Sequence, residues 1–137
     1  MESKAPQSTA SRPRICVDLD GTLARFTEWR GITHIGHPHA GARHFLEELR
    51  KVAHVVIHTC RCNPSIQHGC AIDELRRYVQ EWLEEHELPY DEIYTGAGKP
   101  FASAYIDDRA IQCDPQADNF AYHRALLELH DMLAERR

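Results

Sequence analysis

The sequence predicts an α/β fold in three layers, a central parallel sheet covered by helices on both faces. Three observations lead there. Short apolar runs alternate with longer segments whose apolar residues recur at helical spacing. A strand that is followed by a helix and then by another strand implies a parallel pair, because a parallel connection must cross over the sheet. Two of the apolar runs also end in paired acids, "VDLD" at 17–20 and "IDD" at 106–108, and ligands of such sheets gather beyond the carboxyl ends of the strands.

Taken in order, residues 1–13 form a polar tail with two prolines and no apolar stretch, predicted to be disordered and to precede one domain over 14–137. Ile15, Cys16 and Val17 form the first strand, and Gly21 turns the chain after it. Residues 24–41 show no sustained period and read as a loop or small hairpin. The stretch 41–52 is a helix, with Phe45, Leu46, Leu49 and Val52 as its apolar stripe. "AHVVIHT" at 53–59 is a buried strand, and 60–71 a second loop. Residues 72–88 give the clearest helix, with Ile72, Leu75, Val79, Trp82 and Leu83 on one stripe and Pro89 to close it. Strands follow at 92–95 and 103–108, separated by the glycine-rich "GAGKP". The last helix, 119–135, has Leu126, Leu129 and Leu133 as its core stripe and Asp118 or Asn119 as its cap.

The 137 residues suit one core, and the net charge of −5 argues against a broad basic surface for nucleic acid. No apolar run reaches the roughly 18 residues a membrane span needs, and none resembles a signal peptide, so a cytoplasmic protein without membrane partners is expected. Five cysteines in such a chain read as free thiols rather than a disulfide framework.

The chemistry concentrates at the strand ends. On a strand, Asp18 and Asp20 project to the same side. With Asp107 and Asp108, four carboxylates are expected at one sheet edge, an arrangement that repels itself unless a cation lies between the charges. A hard divalent ion with oxygen ligands resolves it, and Mg²⁺ is expected. Lys99 adds an ammonium and Thr59 a hydroxyl at neighbouring strand ends. Cation, ammonium and hydroxyl converging on one spot suit a phosphoryl group.

"ICVDLDGTL", "VVIHT", "GKP" and "YIDD" together resemble the four motifs of the haloacid dehalogenase (HAD) superfamily of phosphohydrolases, over residues 14–111. The resemblance implies a Rossmann-like fold and a Mg²⁺-dependent phosphatase that works through an aspartyl-phosphate. It makes Asp18 the nucleophile and Asp20 the general acid and then base, with Thr59 and Lys99 on the phosphoryl oxygens. It assigns Mg²⁺ to Asp18, the backbone carbonyl of Asp20 and Asp107, with Asp108 as a further or water-mediated ligand. Neither the gap of about 36 residues between the first two motifs nor that of about 40 before the third leaves room for a cap domain beyond its one helix. The chain therefore resembles the capless subgroup, whose open sites accept large substrates or are covered by a second subunit, so a homo-oligomer is a candidate assembly. "DLDGTLA", "VVIHTCR" and "IDDR" are similar to the phosphatase part of phage polynucleotide kinases. That makes a nucleic-acid end a candidate substrate, and Arg61 and Arg109 candidates for gripping it. A binding module that keeps the fold without catalysis is the rival from another class, and the presence of every motif residue speaks against it.

Two groups stay outside this scheme. His58, Cys60, Cys62, His68 and Cys70 offer zinc ligands, but Cys-x-Cys lacks the usual finger spacing, so loop thiols are expected. His34, His37 and His39 read as loop surface residues, with contact to substrate or metal as the alternative.

Overall fold

The computed structural model describes residues 12–135, so the tail expected at 1–13 falls, up to residue 11, outside the described residues. Strand β1 (Arg14–Val17) is flanked by β2 (His54–Ile57) on one side and β4 (Ala104–Ile106) on the other, and β3 (Glu92–Ile93) pairs with β2. All three pairings are parallel, with Val17 opposite both Ile57 and Ile106. Central strands must be apolar on both faces, and Val17, Val55, Val56 and Ile57 are fully buried.

From β1 to β2 to β3 the chain steps one way across the sheet, through helix α1 (Ala42–Arg50) and helix α2 (Ile72–Glu85). Right-handed crossovers in one direction put both helices on one face. There Leu46, Val79, Trp82 and Leu83 pack with Val17, Val55, Ile57 and Ile93 in a single apolar cluster. The step to β4 then reverses to the far side of β1. That reversal opens a crevice between β1 and β4 at their carboxyl ends.

Helix α3 (Ala121–Glu135) forms the third layer. It lies across the second sheet face over a cavity of about 720 Å³, to which it contributes Glu128 while the sheet side contributes Cys16, Asp18, His58 and Tyr105. The expected core stripe of this helix is corrected here. Leu126, Leu129 and Leu133 are 58%, 39% and 53% exposed, and Ala121 is its buried residue. Besides buried Cys16 and Val56 the second sheet face carries an ion cluster in which Arg14 (2.8 Å) and His54 (3.0 Å) both meet Glu92, and the helix leaves its leucine stripe turned to solvent. Asp118 is the cap, its Oδ1 accepting the Phe120 N–H at 2.9 Å.

Other elements are shorter than the sequence predicts. Helix α1 ends at Arg50, and Phe45 and Val52 stay exposed while Ala42 and Leu46 are buried. Helix α2 stops at Glu85, well before Pro89. Its end is a Schellman turn in which Leu88 N–H reaches Leu83 O and Glu87 N–H reaches Glu84 O, with Glu87 left-handed at φ 56°. Within 24–41 an antiparallel bridge joins Ala24 to Pro38, giving the small hairpin. Cys60–Cys62 is a 3₁₀ turn. No helix among the described residues is long and apolar enough to cross a membrane.

Candidate active site

The crevice is built first from the ends of β1 and β4. Asp18 continues the ladder, its N–H donating to Ile106 O at 2.9 Å, and this brings it beside Asp107 and Asp108. One carboxylate oxygen from each of the three lies within 4.8 Å of the others. Among the described residues this is the one grouping of three or more His, Cys, Asp or Glu close enough to share an ion. Gly21 makes the approach feasible twice over. Its φ of +89° is one that side chains disfavour, and a Cβ there would lie 2.4 Å from Asp108 Oδ2. Thr22 Oγ1 also donates to Asp108, weakly, at 3.4 Å.

Crowding shows in the protonation of Asp18. Burial, and next the Asp107 charge, push its carboxyl up to about 7, with Asp108 adding to the rise and the Leu19 N–H opposing it. A hard divalent cation among these oxygens would reverse that balance. The donor set of three carboxylates is one that could hold a hard divalent cation such as Mg²⁺.

Asp20 stands outside that trio. Its oxygens take Arg61 Nε–H (2.6 Å) and Nη2–H (3.0 Å). Of the four carboxylates expected at this edge, Asp18, Asp107 and Asp108 bring oxygens close enough to share an ion, while Asp20 reaches the crevice with both oxygens held by Arg61. The expectation for Arg61 is corrected. It is only 4% exposed, and its remaining donors go to the carbonyls of Gly31, Ile32 and His34 at 2.8–3.4 Å. All five guanidinium N–H groups are thereby used, leaving none for a substrate. Arg61 instead pins Asp20 to the 31–34 segment, and Trp29 stacks on it with 4.7 Å between the guanidinium carbon and the ring centre.

Thr59, also 4% exposed, accepts the Arg61 backbone N–H on its hydroxyl, which keeps its own proton to donate. It lines a second cavity, of about 650 Å³, with Asp18, Asp20, Asp107 and Arg109. Arg109 is exposed, and its backbone N–H donates to Asp107 Oδ1 at 2.7 Å. Lys99 faces the other cavity, the one under α3, with its ammonium 4.6 Å from the Tyr105 ring centre. Thr59 and Lys99 thus approach from opposite sides, and the two cavities share Asp18 and Asp107.

His58 enters the Lys99 cavity, edge-on to Tyr94, and burial holds its imidazole below the ordinary range while Asp107 opposes the shift. In the sequence it reads only as a zinc-ligand candidate. Its place two residues after Val56 was the available signal, because that spacing puts it on the second face. Trp29 and Phe26, which line the Thr59 cavity, carried no motif at all.

Among the described residues no three of these thiols and histidines lie close enough together to share an ion. Cys62 is buried and its thiol pushed up to about 11 by that burial, Cys60 is exposed, and all five cysteines are free. Of the three loop histidines, His34 and His37 serve through their carbonyls, to Arg61 and to the Arg25 N–H, and His39 through its N–H to Leu23 O.

No protein-family model matches the chain, and no curated protein matches it either. A crystal structure of a target protein from Vibrio cholerae is similar at 26% identity, covering 91% of this chain and 99% of that one, with a TM-score of 0.48. That superposition is too loose to carry an argument.

Proposed function

We propose that this chain is a cytoplasmic, Mg²⁺-dependent phosphomonoesterase of the capless HAD type. The observation that carries the reading is the convergence of Asp18 with Asp107 and Asp108 at the point where the sheet reverses direction. Residue by residue, the resemblance in "DLDGTL", "HT", "GKP" and "IDD" agrees with it.

Asp18, Asp107 and Asp108 would hold the ion, with the Asp20 carbonyl implied by the resemblance as a further ligand. When bound, Mg²⁺ supplies positive charge that favours ionised Asp18 and offsets charge on the phosphoryl oxygens. The steps belong to the protein's own groups. A carboxylate oxygen of Asp18 attacks phosphorus, the ester P–O bond breaks, and the departing oxygen takes a proton from Asp20. Water then attacks the aspartyl-phosphate, losing its proton to Asp20, and Asp18 and inorganic phosphate are regenerated. Asp20 handles the proton on a lone pair that Arg61 leaves open, and Arg61 holds its carboxyl in place. The Thr59 O–H donates to a phosphoryl oxygen, and the Lys99 ammonium lowers the potential from the other side.

The test is hydrolysis of p-nitrophenyl phosphate with Mg²⁺. Activity that disappears with chelator and in Asp18→Asn agrees with the proposal. Undiminished turnover under either condition refutes it.

A further inference from the structure

Helix α3 meets its own chain along a row of small or flexible residues. Ala121 is buried, and Ala125 and Met132, on the same side of the helix, are half-buried. At about 100° per residue, Tyr122, Leu126, Leu129 and Leu133 fall within about 60° of one another, forming a separate stripe next to that row. Leu129 is the least exposed of the four, and Tyr122, at 68%, the most. The charged residues Arg124, Glu128, Asp131 and Glu135 gather opposite the stripe. The helix thus has a well-formed apolar face, and it is not the one its own sheet covers.

With Phe120 and Leu127 beyond the stripe, the exposed apolar area is on the order of 600 Å². A dimer of standard size takes about 800 Å² from each subunit, roughly 65% of it apolar in homodimers. The face matches that need. Its spacing is also self-complementary. The intervals of four, three and four residues between Tyr122, Leu126, Leu129 and Leu133 are those of a coiled-coil seam, and they read the same in both directions. Two antiparallel copies centred between Leu127 and Glu128 set Leu126 against Leu129 and Tyr122 against Leu133, each contact occurring twice, as a two-fold axis requires. Opposed helix dipoles favour that direction over the parallel one. Two other occupants fit less well. An anionic lipid surface attracts Lys and Arg, and in this helix Arg124 stands against Glu128, Asp131 and Glu135. Residues 1–11 carry no apolar run to lay on the leucines.

We infer that α3 is the interface of a homodimer in which two copies of this chain pair antiparallel through Tyr122, Leu126, Leu129 and Leu133. The inference is independent of the phosphatase reading and stands or falls without any turnover measurement.

Sedimentation equilibrium of the full chain should show a dimer at micromolar concentration, and the melting temperature should rise with concentration. Leu126→Glu should weaken association by about 30-fold or more, as expected at the centre of an interface. Dilute wild type and dilute variant should melt at the same temperature, because this leucine is exposed in the single chain. Leu129→Gln is the milder replacement, and it should move the same equilibrium in the same direction even if the glutamate variant folds poorly. Direction is read by oxidising a mixture of Tyr122→Cys and Leu133→Cys chains and mapping the cross-linked peptides by mass spectrometry. Links between positions 122 and 133 mark the antiparallel pair, and links from 122 to 122 overturn it. A wild type that stays monomeric up to about 100 µM overturns the dimer, as does a dimer that survives both Leu126→Glu and Leu129→Gln. Flotation of the wild type with phosphatidylglycerol vesicles, lost in Leu126→Glu, would give the face to a lipid surface and overturn the inference as well.

Discussion

Asp18→Asn should make the protein inactive and, above neutral pH, more stable. The folded chain holds the Asp18 carboxyl at about 7 against an ordinary 3.8. Below about pH 4 both folded and unfolded chains keep the proton, so this group contributes nothing to the balance. Between there and pH 7 the folded chain still holds the proton that the unfolded chain has released. Stability must therefore fall as pH rises through that window, and the loss is complete above it. At about 1.4 kcal/mol per pH unit, roughly three units set a ceiling of about 4 kcal/mol. Asp18 is only partly buried, and solvent screening brings the expected value to about 2 kcal/mol. Asparagine keeps the shape and removes the charge. In chelator at pH 8 the variant should melt roughly 5 °C above wild type, and at pH 4 the two should coincide. Adding Mg²⁺ at pH 8 should raise the wild type and scarcely move the variant. A variant less stable than wild type at pH 8, or an offset that is the same at both pH values, would refute the crowded-carboxylate argument.

Three further outcomes follow from the same geometry. Gly21→Ala should lose the Mg²⁺-dependent rise in melting temperature, because its Cβ would meet Asp108 at 2.4 Å and its φ of +89° disfavours alanine; calorimetry with and without the ion reads this directly. Arg61→Met strips Asp20 and three carbonyls of their donors, so urea titration should show a loss of about 3–5 kcal/mol, with Arg61→Lys recovering only part. Glu87→Gly relieves a left-handed residue worth about 1 kcal/mol and gives up an exposed pair with Arg43, so the urea midpoint should rise slightly with an unchanged slope.

What the sequence determined by itself was the alternation of strands and helices, and the strand ends at which acids, threonine and lysine gather. Local patterns carry that information: apolar period fixes element type, and an acid after a strand lies at its carboxyl end whatever the rest of the chain does. The α2 stripe of Leu75, Val79, Trp82 and Leu83 was legible for this reason and is buried as read. Tertiary structure decided three matters. It set which carboxylates meet, because β4 must return beside β1 for Asp107 and Asp108 to reach Asp18. It set the fate of Arg61, whose five donors find partners only once the 31–34 segment folds over it, and with it the separation of Asp20 from the cluster. It also set the exposure of Leu126, Leu129 and Leu133, since an amphipathic period reveals that a helix has an apolar face but not whether the surface opposite is apolar. Here Ala121 is the buried residue of that helix, and its leucines remain 39–58% exposed.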